Sequence, residues 1–77
     1  MSQQLEGDAA TYESLARIEE HIQSRLTGLV RDFQIVLFDQ ELVLRRHART
    51  YHAKQLAQHA VMEATSLPIR ANEIEVQ

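Results

Sequence analysis

Residues 30–48 read VRDFQIVLFDQELVLRRHA, and this stretch decides the fold. Phe33, Ile35 and Leu37 alternate with Asp32, Gln34 and Val36, the period of two that marks a strand. Asp39-Gln40 is the natural turn, and Glu41 to Ala48 returns as a second strand. A two-residue loop sets Leu37 opposite Leu42, Ile35 opposite Leu44 and Phe33 opposite Arg46 on one face. The other face then carries Phe38, Val36 beside Val43, Gln34 beside Arg45 and Asp32 beside His47. Gln40 suits this turn poorly, because positive φ favours Gly or Asn there; a longer loop would bring another register.

Before the hairpin the period is 3.6. Tyr12, Leu15, Ile18, Ile22, Leu26 and Leu29 form one helical stripe, with Glu13, Arg17, Glu20 and Ser24 opposite. Glu13 and Arg17 stand at the favourable i, i+4 separation. Either Asp8 or Thr11 can cap this helix, and Gly28 is placed to end it in a left-handed turn. Residues 1–8 read as a disordered tail and 9–77 as one domain.

After the hairpin, Thr50 is set to cap a second helix from Tyr51 to about Thr65. Its stripe is Ala53, Leu56, Ala57, Ala60, Val61 and Ala64, small enough to lie close on a sheet. Pro68 stops any continuation. Ile74 and Val76, alternating with Glu73 and Glu75, make a last short strand. Ile69 and Ala71 are out of step with Ile74, which predicts a kink or bulge near Asn72. A strand–helix–strand connection favours a right-handed crossover and a parallel pair. The expected fold is therefore α+β: helix–strand–strand–helix–strand in two layers, a three-stranded mixed sheet with both helices on one face. Phe33, Ile35, Leu37, Leu42, Leu44, Ile74 and Val76 are its expected buried sheet residues, and the other face is left uncovered.

With 77 residues, such a domain buries only about 60% of its unfolded surface, so partner contacts would help it. It has no cysteine, which excludes disulfides and thiolate metal sites. Met1 to Asp8 is polar, unlike a signal peptide, and no stretch reaches the roughly 20 apolar residues of a membrane span. The expectation is a chain without a transmembrane segment that stays in the cytoplasm.

These elements, in this order, resemble the BON domain family, small bacterial domains named for osmotic-shock and nodulation proteins. The resemblance spans about Tyr12 to Val76. Its main piece is Tyr51-His52-Ala53-Lys54-Gln55-Leu56-Ala57-Gln58-His59-Ala60, similar to the family's aromatic-x-Ala-Lys-x-x-Ala helix opening. Asn72-Glu73-Ile74-Glu75-Val76 resembles its closing strand, and Phe33-x-Ile35 through Leu42-x-Leu44 its hairpin. The family usually places glycine in the hairpin turn, two residues past the second-strand leucine, and before the last strand. This chain has Gln40, Arg46 and Ser66 or Leu67 there, the pattern of a divergent member. The resemblance implies a binding role, often towards phospholipid or the cell envelope, and no catalytic residues. Many relatives are exported, from which a chain without a leader departs.

Net charge is −3, unevenly spread. Between Leu42 and Met62 stand Arg45, Arg46, Arg49 and Lys54 with no acid, while all eleven acids lie elsewhere. These four cations, with His47 and His52, gather around a strand end and a helix start, where anions are favoured. They are the candidate anionic-ligand site, for phosphate groups of lipid or an acidic partner. The plainer account is solvated cations balanced by Asp32, Asp39 and the glutamates. Val36, Phe38 and Val43 on the uncovered sheet face are the candidate interface of a homodimer or protein-interaction module; three scattered apolar side chains are the plainer account.

Other chemistry has little footing in these residues. His52 and His59 lie about 10.5 Å apart along a helix axis, too far to share one zinc, and His59 with Glu63 makes only two ligands. No Gly-rich phosphate loop, Ser-centred elbow or KH-type GxxG loop is present. The expectation is a non-enzymatic domain without metal or cofactor. Nucleic acid is a poor partner at this net charge.

Overall fold

The hairpin at 30–48 forms, two short strands extend its sheet, and both helices pack on one face. The computed structural model describes residues 12–77; the expected tail at 1–8 and the cap at Asp8 or Thr11 lie outside the described residues. The elements are α1 (Tyr12–Arg25), β1 (Val30–Phe38), β2 (Glu41–Ala48), α2 (Tyr51–Ala64), β3 (Ile69–Asn72) and β4 (Glu75–Val76). β2 is central, antiparallel to β1 on one edge and parallel to both β3 and β4 on the other. The expected last strand is thus two short segments end to end, and the mixed sheet counts four strands in three positions.

α1 ends at Arg25, where Thr27 Oγ1 donates to the otherwise unpaired carbonyls of Gln23 and Ser24, 3.0 Å each. Gly28 follows at φ +89 with open space around it, so its backbone freedom alone suits it to the turn into β1. On the exposed side, Arg17 pairs with Glu13 at 3.1 Å, as the spacing predicted. Thr50 caps α2, its Oγ1 accepting from the N–H of Ala53 at 3.0 Å.

One apolar cluster joins the layers. Leu15 and Ile22 of α1, and Ala53, Ala57 and Val61 of α2, meet Val30, Phe33, Ile35, Leu42, Leu44, Ala48 and Ile74. Ile22, Leu42, Leu44, Val61 and Ile74 are almost wholly buried. Burying a large aliphatic side chain gains about 1.5–3 kcal/mol, so each of these five contributes on that order. The small alanines of α2 let its backbone approach β2.

The core departs from the sequence expectation at its margins. Leu37 is only half-buried, and Val76, in the two-residue β4, is 46% exposed. Leu29 is exposed because the helix stops four residues before it. Val30 and Ala48 join the core instead.

Candidate functional site

The register explains that exchange. Phe38–Glu41, Leu37–Leu42, Val36–Val43, Ile35–Leu44 and Gln34–Arg45 pair as the two-residue turn requires. Asp39 and Gln40 take φ 57 and 67, the positive values of the tight hairpin turn, despite Gln40 being an unfavourable residue for it. Beyond Gln34 the register shifts. The expected pairs Phe33–Arg46 and Asp32–His47 do not form; the partners are Arg31–His47 and Val30–Ala48. Asp32 and Phe33 together oppose Arg46, a β-bulge in which Asp32 has φ 57 and Arg46 φ 101. Continued alternation would have turned Arg31 and Arg46 inward. The bulge brings Val30 into the core and leaves both arginines exposed.

The expected irregularity near Asn72 comes in two parts. The β2–β3 register slips at Arg70, between the pairs Leu42–Ile69 and Val43–Ala71. The strand then breaks after Asn72, whose Oδ1 accepts from the N–H of Ile74 at 3.2 Å.

These registers lay the uncovered sheet face out in four rows across the strands. At the turn end are Phe38, Glu41 and Arg70; Arg70 Nε lies 2.7 Å from Glu41 Oε1 and its guanidinium sits 4.6 Å from the Phe38 ring centre. Next come Val36, Val43 and Ala71, all half-buried. The third row is Gln34, Arg45 and Glu73, with Arg45 Nε 3.8 Å from Glu73 Oε1. The fourth is Arg31, His47 and Glu75. His47 Nδ1 is buried with no hydrogen-bond partner among the described residues.

The four expected anion-site cations therefore divide. Arg46 and Arg49 line an open cleft at the bulged end of the hairpin, together with Arg31 and His47. Arg45 lies in the third row beside Glu73, and Lys54 is outside that cleft on α2. Arg31 was missed in the sequence because only the bulge brings it level with His47. Its guanidinium donates to Gln77 Oε1 at 3.1 Å. The cleft runs on between α1 and β1, where Glu19, Glu20 and Asp32 also line it, so its cations sit at one end and the α1 acids at the other. Val36, Phe38 and Val43 do share one face, and Phe38 remains 55% exposed.

Among the described residues, no three His, Cys, Asp or Glu side chains are grouped to hold a metal ion, and no helix is long and apolar enough to cross a membrane. Fold and site define a class: a two-layer α+β domain with a bare sheet face and a cationic hairpin end. Compared with known proteins, the chain matches no family model, no curated protein and no solved structure.

Proposed function

We propose that this chain is a BON-like, non-enzymatic binding module that meets phosphate-bearing surfaces, phospholipid headgroups first, through Arg46 and Arg49 with Arg31 beside them. The observation that carries this reading is Arg46 itself. A bulky residue at φ 101 costs free energy that glycine would not, and such outliers collect at binding and catalytic sites. Here the outlier turns a guanidinium outward at the mouth of a cleft already holding two more.

The glycine positions add support for the resemblance. Gln40 and Arg46 stand where BON relatives usually carry glycine, and both hold positive φ. Backbone geometry has kept the shape that glycine would supply, while the side chains have changed. Arg45 and Lys54 are left as auxiliary cations.

Co-sedimentation with phosphatidylglycerol vesicles, against pure phosphatidylcholine, tests the reading. A cation near an anionic bilayer contributes about 1 kcal/mol, so Arg49→Ala and Arg46→Gly should each weaken binding about fivefold. Binding should also decline with added salt. Equal sedimentation with neutral and anionic vesicles would remove the proposal.

A further inference from the structure

We infer that the bare sheet face docks a second copy of this chain, with a two-fold axis running along β2 between the two sheets. The inference shares Arg31 with the anion reading but is tested apart from it, because Val43 lies outside the cleft, so dimerisation and vesicle binding can fail separately.

Both sheet edges are partly blocked to strand addition. On β1, the N–H groups of Phe33 and Ile35 are taken by Gln23 Oε1 and Glu19 Oε2, and the carbonyl of Val30 by Gln23 Nε2. On the other edge, the slip at Arg70 breaks the ladder, and Asn72 takes the N–H of Ile74. Edge-to-edge association is thereby disfavoured relative to contact through the face.

All four rows of the face are self-complementary under a two-fold operation along the strands. A two-fold axis along β2 lays the β1 column of one copy over the β3–β4 column of the other, row for row. Phe38 then meets Arg70, a ring under a guanidinium; Val36 meets Ala71, apolar on apolar. Gln34 meets Glu73, amide on carboxylate; Arg31 meets Glu75, cation on anion. On the axis Val43 packs on its own copy. Glu41, Arg45 and His47 also face their own copies, and Glu41 and Arg45 already have Arg70 and Glu73 beside them within each chain. A two-fold axis across the strands, through the Val36–Val43–Ala71 row, lays that row on itself with Glu41 on Arg45 and Arg70 on Glu73, but it leaves Arg31, His47 and Glu75 outside the contact and buries three rows instead of four. Isologous contact through one self-matching patch is the usual form of a dimer. The face offers about a dozen residues, fewer than the roughly 20–30 a side of a stable interface, so the dimer is weak.

Sedimentation velocity on the full chain, from low-micromolar to millimolar concentration, tests this. The wild type should move from monomer to dimer across that range. Val43→Glu places two like charges on the axis and should abolish the dimer, with circular dichroism showing the fold kept. Arg31→Glu and Glu75→Arg, both exposed positions, should each weaken dimerisation about tenfold. The double variant R31E/E75R should restore it to within about threefold. A wild type monomeric at millimolar concentration overturns the inference. So does a dimer indifferent to Val43→Glu, or a charge swap that fails to restore association. Dimers that form only after residues 1–11 are removed would also overturn it, by giving the face to that segment.

Discussion

Glu19 on α1 reaches β1 with its side chain: Oε2 accepts a 2.8 Å hydrogen bond from the backbone N–H of Ile35. One turn further on, Gln23 does the same for Phe33 at 2.9 Å and donates to the carbonyl of Val30 at 3.0 Å. β1 is an edge strand, and its outward N–H groups would otherwise be free to pair with another chain. The first helix thus covers the core and also supplies the hydrogen bonds of a missing neighbour strand.

Removing those acceptors has a defined cost. Glu19→Ala loses one hydrogen bond, worth about 1 kcal/mol, and Gln23→Ala loses two. At about 4–8 °C per kcal/mol in a domain of this size, thermal melts should fall by about 5 °C and 10 °C respectively. Glu19→Gln keeps an acceptor oxygen and should melt close to wild type. Both alanine variants should also aggregate faster at equal temperature, read by light scattering, because an unsatisfied edge is exposed. Unchanged melting in Gln23→Ala would mean the edge is capped by solvent instead.

Glycine should stabilise the two strained positions. Gln40→Gly at φ 67 and Arg46→Gly at φ 101 relieve left-handed strain of about 1 kcal/mol or more each, less the entropy glycine adds to the unfolded chain. Urea unfolding should show each variant more stable by about 0.5–1 kcal/mol, with the m-value unchanged. Arg46→Gly should then be at once more stable and poorer at binding anionic vesicles, while Gln40→Gly gains stability alone. A destabilised Arg46→Gly would show that its side chain contributes more to folding than its backbone costs.

The sequence made the elements and most of the hairpin register legible, because alternation across Phe33–Leu37 and Leu42–Leu44 admits one inward face. It did not reveal the bulge. A period-two pattern has no term for two residues opposing one, and the clue was indirect: Val30 is apolar but out of phase with Phe33, Ile35 and Leu37. The candidate site divided for a different reason, because charges were grouped by position along the chain although alternation already set Arg45 and Arg46 on opposite faces. Arg45 and Arg46 are adjacent in the chain, yet one lies in an open-face row beside Glu73 and the other at the cleft. Arg31 joined them only through the shifted register. Charge counting along a chain cannot separate residues that a strand sends to different sides.

The last strand offers a clean contrast between two apolar residues with the same sequence pattern. Ile74 is almost wholly buried under α2, whereas Val76 is half in solvent. Ile74→Ala should cost about 2–5 kcal/mol, and Leu44→Ala a similar amount. Val76→Ala should cost well under about 1 kcal/mol, since little of it leaves water on folding. Denaturant midpoints for the three variants separate these values readily. Equal losses at Ile74 and Val76 would place both in the core, as alternation alone suggests.

Asn72 is the point where polarity, not shape, holds the closing strand. Its Nδ2 donates to the carbonyl of Lys54 and to Gln58 Oε1, 3.2 Å each, while its Oδ1 accepts from the N–H of Ile74. Asn72→Asp keeps size and the Ile74 acceptor but aims a carboxylate oxygen at two other acceptors. The fold then disfavours the ionised form, so the new carboxyl has a folded-state pKa above its unfolded value. The loss should therefore be small below the ordinary aspartate range near pH 4, and should grow as pH rises through and above it. At neutral pH, N72D should be about 1–3 kcal/mol less stable than wild type, and part of that loss should vanish at pH near 3 when each is compared with wild type at the same pH. Asn72→Ala, which has no carboxyl to titrate, should show a loss independent of pH over that range. Parallel pH profiles for the two variants would mean that Nδ2 makes no bond that matters, and that the strand is held by Ile74 alone.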